Sequence, residues 1–406
     1  MPVNIPASTM RPIGPVRLET IALGLLLLFV AAVQLSVAAA GILLALLLSS
    51  WIGLLWLEHE RPDVPRFFWP LAAYTGVTLV SVSFSLNPLQ SLWNAKEVLL
   101  YLIVPLVYGL AHGRRAWTLA DVILNVGAVI AALGIVQYGV LGYDHLGQRP
   151  HGSMGHYMTY SGLLMLVAGL AMARVLFNHR GRVWPAMVMP ALVVALALTF
   201  TRSAWVGACA SIGLLLVLKD FRLLAAAPVV AALFFALAPI PVVDRMTTVF
   251  DLQDPTNRDR IAMISAGLHM VADHPLTGVG PDVVKDVYPQ YRDPEAVEAV
   301  VPHLHNNPLH IAAERGVAGL AIWVWFLVAA VGGLVARLRE PETRPLAAAG
   351  LAALVGMLTA GMFEYNFGDS EFLMLLLVLI TLPDAAARSA PSRSAQAFDL
   401  PRVRSA

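Results

Sequence analysis

Charge is what this chain of 406 residues has least of. Only 13% of it is Asp, Glu, Lys or Arg, against 58% hydrophobic. A soluble globular protein is about a quarter charged and needs those charges on its surface. The composition therefore argues against a soluble enzyme of one or two domains. The net charge of +1 is too small for the electrostatic footprint of a nucleic-acid binder. Cysteine is nearly absent as well. Cys209 stands alone in an apolar run, which excludes an intramolecular disulfide and any cysteine-based zinc or iron–sulfur site. It reads as a small packing residue. No Walker motif or other phosphate-binding glycine loop occurs, so nothing points to ATP or to any other cofactor.

What the chain does have is long uncharged stretches. Residues 20–57 carry no charge at all, and a single span needs about 20 residues. This stretch therefore reads as two spans with a tight turn near residues 34–36. The first is an uncleaved helix rather than a secretory signal, because the apolar run is too long and a second span follows at once. Further apolar segments lie at 67–85, 98–111, 122–141, 157–173, 183–200, 203–218, 223–243, 308–336, 346–363 and 372–382. The expected fold is all-α, a polytopic transmembrane helical bundle of about twelve spans. Residues 1–240 hold about nine of these spans and 306–384 about three. Between them 241–305 forms one large loop with short helices, and 385–406, rich in Ala, Ser, Pro and Arg, reads as a disordered tail.

Orientation follows from the basic residues. With the N-terminus cytoplasmic, 18 of the 27 Lys and Arg fall on inside segments. The other nine fall mostly in or beside the long loop, which is then outside, and an even span count puts the C-terminus inside too. In the loop, 257–272 has helical periodicity, with Ile261, Ile264, Leu268 and Val271 on one face. Asp273-His274-Pro275 ends it.

Four polar clusters share the outer side. Arg202, in Thr201-Arg202-Ser203-Ala204-Trp205, sits between two apolar runs. It is either a snorkelling helix-end arginine or a buried cation awaiting a partner such as phosphate, which a guanidinium can bind bidentately. Arg258-Asp259-Arg260 opens the loop helix, where two arginines and free N–H groups could clasp a phosphate. The plain alternative is a solvated start with Arg–Asp pairing. His303-Leu304-His305-Asn306-Asn307 ends the loop and offers a general base near pH 7. A zinc site is the rival reading, but no third ligand is evident from spacing. Arg149 to His156, with Gly152 and Gly155, forms a turn before a span. Glu314 falls in an apolar helical run and needs a partner. Glu364, Asp369 and Glu371 read as solvated or paired with the arginines.

Together these residues resemble the O-antigen ligase and polymerase family of bacterial envelope glycan enzymes. The likeness runs through Thr201-Arg202-Ser203-Ala204-Trp205, then Arg260 with Ala272-Asp273-His274-Pro275-Leu276-Thr277-Gly278-Val279-Gly280. It continues through His305-Asn306-x-x-Leu309-x-x-x-x-Glu314-x-Gly316-x-x-Gly319-Leu320, and Gly155-His156-x-x-x-Tyr160 is similar to a shorter motif. Ile264 departs from the family, many of whose members have tryptophan there. The resemblance implies a glycosyltransferase of the bacterial inner membrane with its site facing the periplasm. It implies transfer of a glycan from undecaprenyl pyrophosphate without nucleotide, metal or cofactor. In ligases the acceptor is a hydroxyl of the lipid A core, and in polymerases it is another lipid-linked repeat. On this reading Arg202 and Arg260, with Arg258 third, stabilise the leaving diphosphate. His305 is the base and His303 a second base or orienting group. Arg149, His156, Asn306 and Glu314 bind substrate. The ligase reading is preferred, because a single long outer loop is its usual arrangement. A polymerase remains open. A transporter is the alternative from another class, against which stand the missing internal repeat and the gathering of charges at one face.

Overall fold

The computed structural model describes residues 15–388 apart from 60, 179–180, 248–250, 252 and 295. Among the described residues the regular elements are all helical and there is no strand, in line with the expected all-α class. The tail expected at 385–406 lies outside the described residues from 389 on, and 385–387 belong to the last helix.

The chain opens with a hairpin of α1 (Pro15–Ala32) and α2 (Val37–Glu58), turning where the sequence places the turn. Ser36 caps α2 by accepting the Ala39 N–H, and the fully buried Gln34 donates to the Ile123 carbonyl. Then come α3 (Phe68–Ser83), α4 (Pro88–Asn94), α5 (Ile103–Leu110), α6 (Arg114–Gly139), α7 (Tyr157–Phe177), α8 (Val183–Leu198), α9 (Arg202–Asp220), α10 (Ala227–Leu237) and α11 (Ile240–Thr247). The loop holds α12 (Pro255–Asp273) and α13 (Val284–Tyr291). The chain closes with α14 (Asn307–Arg337), α15 (Arg344–Ala360) and α16 (Ser370–Ala387).

Among the described residues, six helices are long and apolar enough to cross a membrane: α2, α6, α7, the run from α9 into α10, α14 and α16; α3, α8 and α15 are shorter apolar helices. Two segments read as single spans are broken. Residues 98–111 begin as 3-10 helix and become α5, with Pro105 in its first turn. Residues 223–243 divide into 3-10 helix, α10 and α11, with Pro228 at the start of α10 and Pro239 before α11. Proline has no N–H to continue a helical ladder, so it starts helices and does not extend them. The most buried helices, α7, α15 and α16, form the centre, and α9 packs on α15 and α7.

Two elements differ from the sequence reading in ways that place the site. On α12 the stripe Ile261, Ile264 and Leu268 is exposed, while Met263, Ala266 and Met270 pack on Val279, Val283 and Tyr288. The loop thus builds its own small core on the opposite face. The helix read from 308 to 336 is broken at Gly316, which has φ +68° and ψ −178°. Only glycine takes that conformation without strain. The break frees the Ala313 and Glu314 carbonyls, and the loop motif supplies their donors. Val279 N–H reaches Ala313 at 2.8 Å, Gly280 N–H reaches Glu314 at 3.0 Å, and Val317 N–H returns to Pro275 at 2.8 Å. Ser81 Oγ adds bonds to Glu314 and Thr277. The Asp273–Gly280 motif is therefore a splint on the broken helix, satisfying backbone that a membrane segment cannot leave bare.

Candidate functional site

At one end of the bundle three helix N-termini, those of α7, α9 and α16, meet the approach to α14 around a cavity of about 420 Å³. The polar wall carries His156, Thr159, Thr201, Ser203, His303, His305, Glu364 and Asp369; Met165, Ala204, Ala360 and Phe372 form an apolar floor. Several of these residues are helix caps. His156 Nδ1 accepts the Met158 N–H, and Asp369 accepts the Phe372 N–H. Unpaired N–H groups and the helix dipoles make such a convergence favourable for negative charge.

His303, His305 and Glu364 form the densest chemistry in the cavity. His305 Nδ1 lies 3.0 Å from Glu364 Oε2, His303 Nε2 lies 3.4 Å from Glu364 Oε1, and the two rings meet edge-on at 4.3 Å. Burial alone would raise the Glu364 carboxyl, yet the hydrogen bond and the two imidazoles hold it below its ordinary value. Burial pushes His303 down to about 4, so it is neutral near pH 7. With Glu364 ionised, the Nδ1 of His305 carries the proton and Nε2 keeps a lone pair, the tautomer a base requires. His305 also has φ +48°, a left-handed backbone rare for a residue with a side chain and frequent at functional sites. The three ligand atoms lie within 4.8 Å of one another, so this cluster could also hold a cation. The third ligand that spacing did not reveal is Glu364.

Arginines gather beside it. Arg202, at the start of α9 and 6% exposed, reaches Asp254 at 3.2 Å and Asn257 at 3.2 Å. Arg245 approaches the other oxygen of Asp254 at 3.4 Å. Arg149 stacks on the Tyr157 ring at 4.2 Å. Arg260 is half-buried; burial lowers its pKa most, while Glu364 and Asp254 favour its charge and Arg202 opposes it. Its Nε is buried without a hydrogen-bond partner among the described residues. Arg258 is exposed. Two residues along a helix turn the side chain by about 200°, so Arg258 and Arg260 do not face one point. Between them Asp259 is buried and accepts the N–H groups of Val297 and Glu298.

The remaining sequence candidates lie in the scaffold. Asn306 caps α14 by accepting the Leu309 N–H and donates to the Met362 carbonyl. Glu314 is 4% exposed, pairs with His310 and Arg315, accepts the Asp282 N–H and does not line the cavity. Four residues passed over as site members matter here. Arg245 joins the arginine group, Glu364 is buried against the histidines rather than solvated or on the arginines, Asp369 is bonded to Thr159, and His310 is buried behind the cluster. The available signal was position, since an acidic residue between two apolar helices, or a histidine inside one, needs a partner.

A family model described as O-antigen ligase matches residues 186–324. That segment runs from α8 into the second part of α14 and takes in Arg202, Arg260, the splint motif, His303, His305 and Glu314; Arg149, His156, Glu364 and Asp369 lie outside it. The match bears out the resemblance read from the motifs and supports a membrane glycosyltransferase of the O-antigen ligase or polymerase kind. No curated protein matches the chain.

Proposed function

We propose that this protein moves a glycan from undecaprenyl pyrophosphate to an acceptor hydroxyl at the periplasmic face of the inner membrane, as an O-antigen ligase acting on lipid A core. The observation that carries the reading is a cavity lined by a Glu364-oriented histidine, with a group of arginines outside its wall, of which Arg260 is near enough to interact with the Glu364 charge. His305 Nε2 takes the proton of the acceptor hydroxyl as its oxygen bonds the anomeric carbon. The bond from that carbon to the diphosphate oxygen breaks, and the electron pair leaves on the diphosphate. A single displacement of this kind inverts the anomeric centre. Negative charge grows on the leaving group, and preorganised cations stabilise it best where water is scarce. Arg202 and Arg260 serve there, with Arg149 and Arg245 adding to the field. Glu364 stabilises the imidazolium that His305 becomes. The donor is already activated, so the step draws on neither nucleotide nor metal. A cavity at the end of a bundle with long apolar helices suits a polyprenyl tail in the bilayer and a glycan in water.

The test is reconstituted transfer in vesicles, with EDTA and without nucleotide. Lipid A core and a lipid-linked repeat are offered as competing acceptors. Transfer to the core supports the ligase reading, transfer only to the repeat makes the protein a polymerase, and transfer to neither overturns the proposal.

A further inference from the structure

His310 lies one turn into α14, 2% exposed, and is not part of the cavity wall. It nevertheless touches both arms of the His303–His305–Glu364 cluster. Its Nδ1 accepts the N–H of Leu304, the residue between the two histidines, at 3.3 Å. Its ring packs against Tyr365 with the planes inclined at 45° and 3.9 Å between centroids, and Tyr365 is bound to its neighbour Glu364 through an N–H bond of 3.1 Å to the carboxylate. Behind it, Nε2 meets Glu314 at 3.1 Å, one turn further along the helix. A nitrogen that accepts a backbone N–H cannot carry a proton, so Nδ1 is bare and Nε2–H donates to Glu314. Glu314 is itself fixed by the Asp282 N–H and by Arg315, whose Nε donates to Thr78.

The side chain thus stands as a spacer between two chain segments that the reaction needs at one distance. His305 has a left-handed backbone, which persists only when neighbours over-determine it. The Asn306 cap holds it on one side, and on the other the bond from Leu304 to His310 does. We propose that His310 is a positioning residue, setting through its acceptor nitrogen and its ring face the separation of His305 from Glu364. The inference rests on the reading of His305 as the base. The charged groups that face this cluster are His303 and Glu364 within it, Glu314 and Arg315 behind, His156 at the start of α7, Arg260 from α12 and Asp369 at the start of α16.

Two substitutions separate the parts. His310→Asn keeps an acceptor near the place of Nδ1, and His310→Phe keeps the ring against Tyr365 but has no acceptor. In the reconstituted transfer assay His310→Phe should lower kcat by about 10²-fold with donor KM little changed, the scale of a one-ångström misplacement. Its acid limb of kcat/KM against pH should move, because Glu364 no longer holds the base at the same distance. His310→Asn should recover part of kcat and return the limb toward its wild-type position. If both variants keep the wild-type pH profile, whatever their yield or melting temperature, His310 is only packing and the proposal fails. His305→Ala is the control. Its retention of activity would remove the base assignment itself, a different failure from an unmoved profile in the His310 variants.

Discussion

Replacing Glu364 with glutamine keeps the shape of the side chain and removes its charge. The magnitude follows from the 3.0 Å contact between Glu364 Oε2 and His305 Nδ1. While His305 is neutral, the carboxylate gains only a hydrogen bond. Once His305 takes the acceptor's proton, the two charges attract by about 5 kcal/mol at 3.0 Å with an effective dielectric of about 20. Only the part that grows toward the transition state accelerates the reaction. A glutamine carbonyl retains some of it as a dipole, which leaves a loss of about 3–4 kcal/mol, or 10²–10³ in kcat at about 1.4 kcal/mol per tenfold. Donor KM should change little, because the arginines that face the diphosphate are untouched. The assay is steady-state transfer to lipid A core by the purified variant in vesicles, with monodispersity checked beforehand. A Glu364→Gln protein that turns over within about threefold of wild type, with the same pH profile, would refute the orienting role of Glu364.

The two loop arginines should separate. Arg260→Ala should lower kcat by about 10²-fold or more, as for loss of one preorganised donor, whereas exposed Arg258→Ala should stay within about twofold; equal losses would contradict the opposite-face geometry. Gly316→Ala places a Cβ about 2.1 Å from the Leu276 carbonyl oxygen at φ +68°, so the unfolding midpoint should fall by several degrees for a strain of about 2 kcal/mol or more; an unchanged midpoint would remove the splint. Because the folded value of His303, about 4, lies below its unfolded value of about 6.5, the unfolded chain gains its proton first, and stability should fall as pH drops from 6.5 toward 4. Glu364, also lowered, loses its share further down, and denaturation midpoints followed from neutral pH to below the ordinary carboxylate range check both. Added Zn²⁺ should inhibit by occupying the three ligand atoms of the cluster, and EDTA should reverse it while leaving the untreated enzyme unaffected; inhibition by EDTA alone would make the cluster a working metal site.

Much of this was legible because a membrane span and a helix cap each leave a local signature. Long apolar runs gave α2, α6, α7 and α14, and α12 followed from its period of apolar residues and from Asp273-His274-Pro275 behind it, while its start at Asp254 and Pro255 shows only in the structure. Arg202, His303 and His305 were legible as candidates because polar residues next to apolar runs are costly and so informative. What was not legible is which polar groups meet. Arg258 and Arg260 looked like a clasp because they are neighbours in sequence, though the helix turn sets them apart. That Glu314 needs a partner was legible, but that Asp282 and His310 join Arg315 in holding it away from the cavity was not, because they come from the loop and from the preceding turn.

Glu364 is the clearest case, and the reason is geometric. It lies 59 residues from His305. Were α14 one straight helix of 31 residues, it would rise about 46 Å at 1.5 Å per residue, while the returning α15, 17 residues long, climbs only about 26 Å. Glu364 would then fall far short of His305. The break at Gly316 removes the mismatch. Residues 317–337 rise only about 31 Å, close to α15 and the short loop after it, and 307–315 become a separate segment. The pairing of the Asn307 N–H with the Gly361 carbonyl at 2.7 Å shows the two ends level. One glycine, held by the splint of 275–280, thus decides whether the carboxylate reaches the base. A mutation that straightens α14 should therefore abolish transfer although it replaces none of the candidate catalytic residues, because it draws Glu364 away from His305.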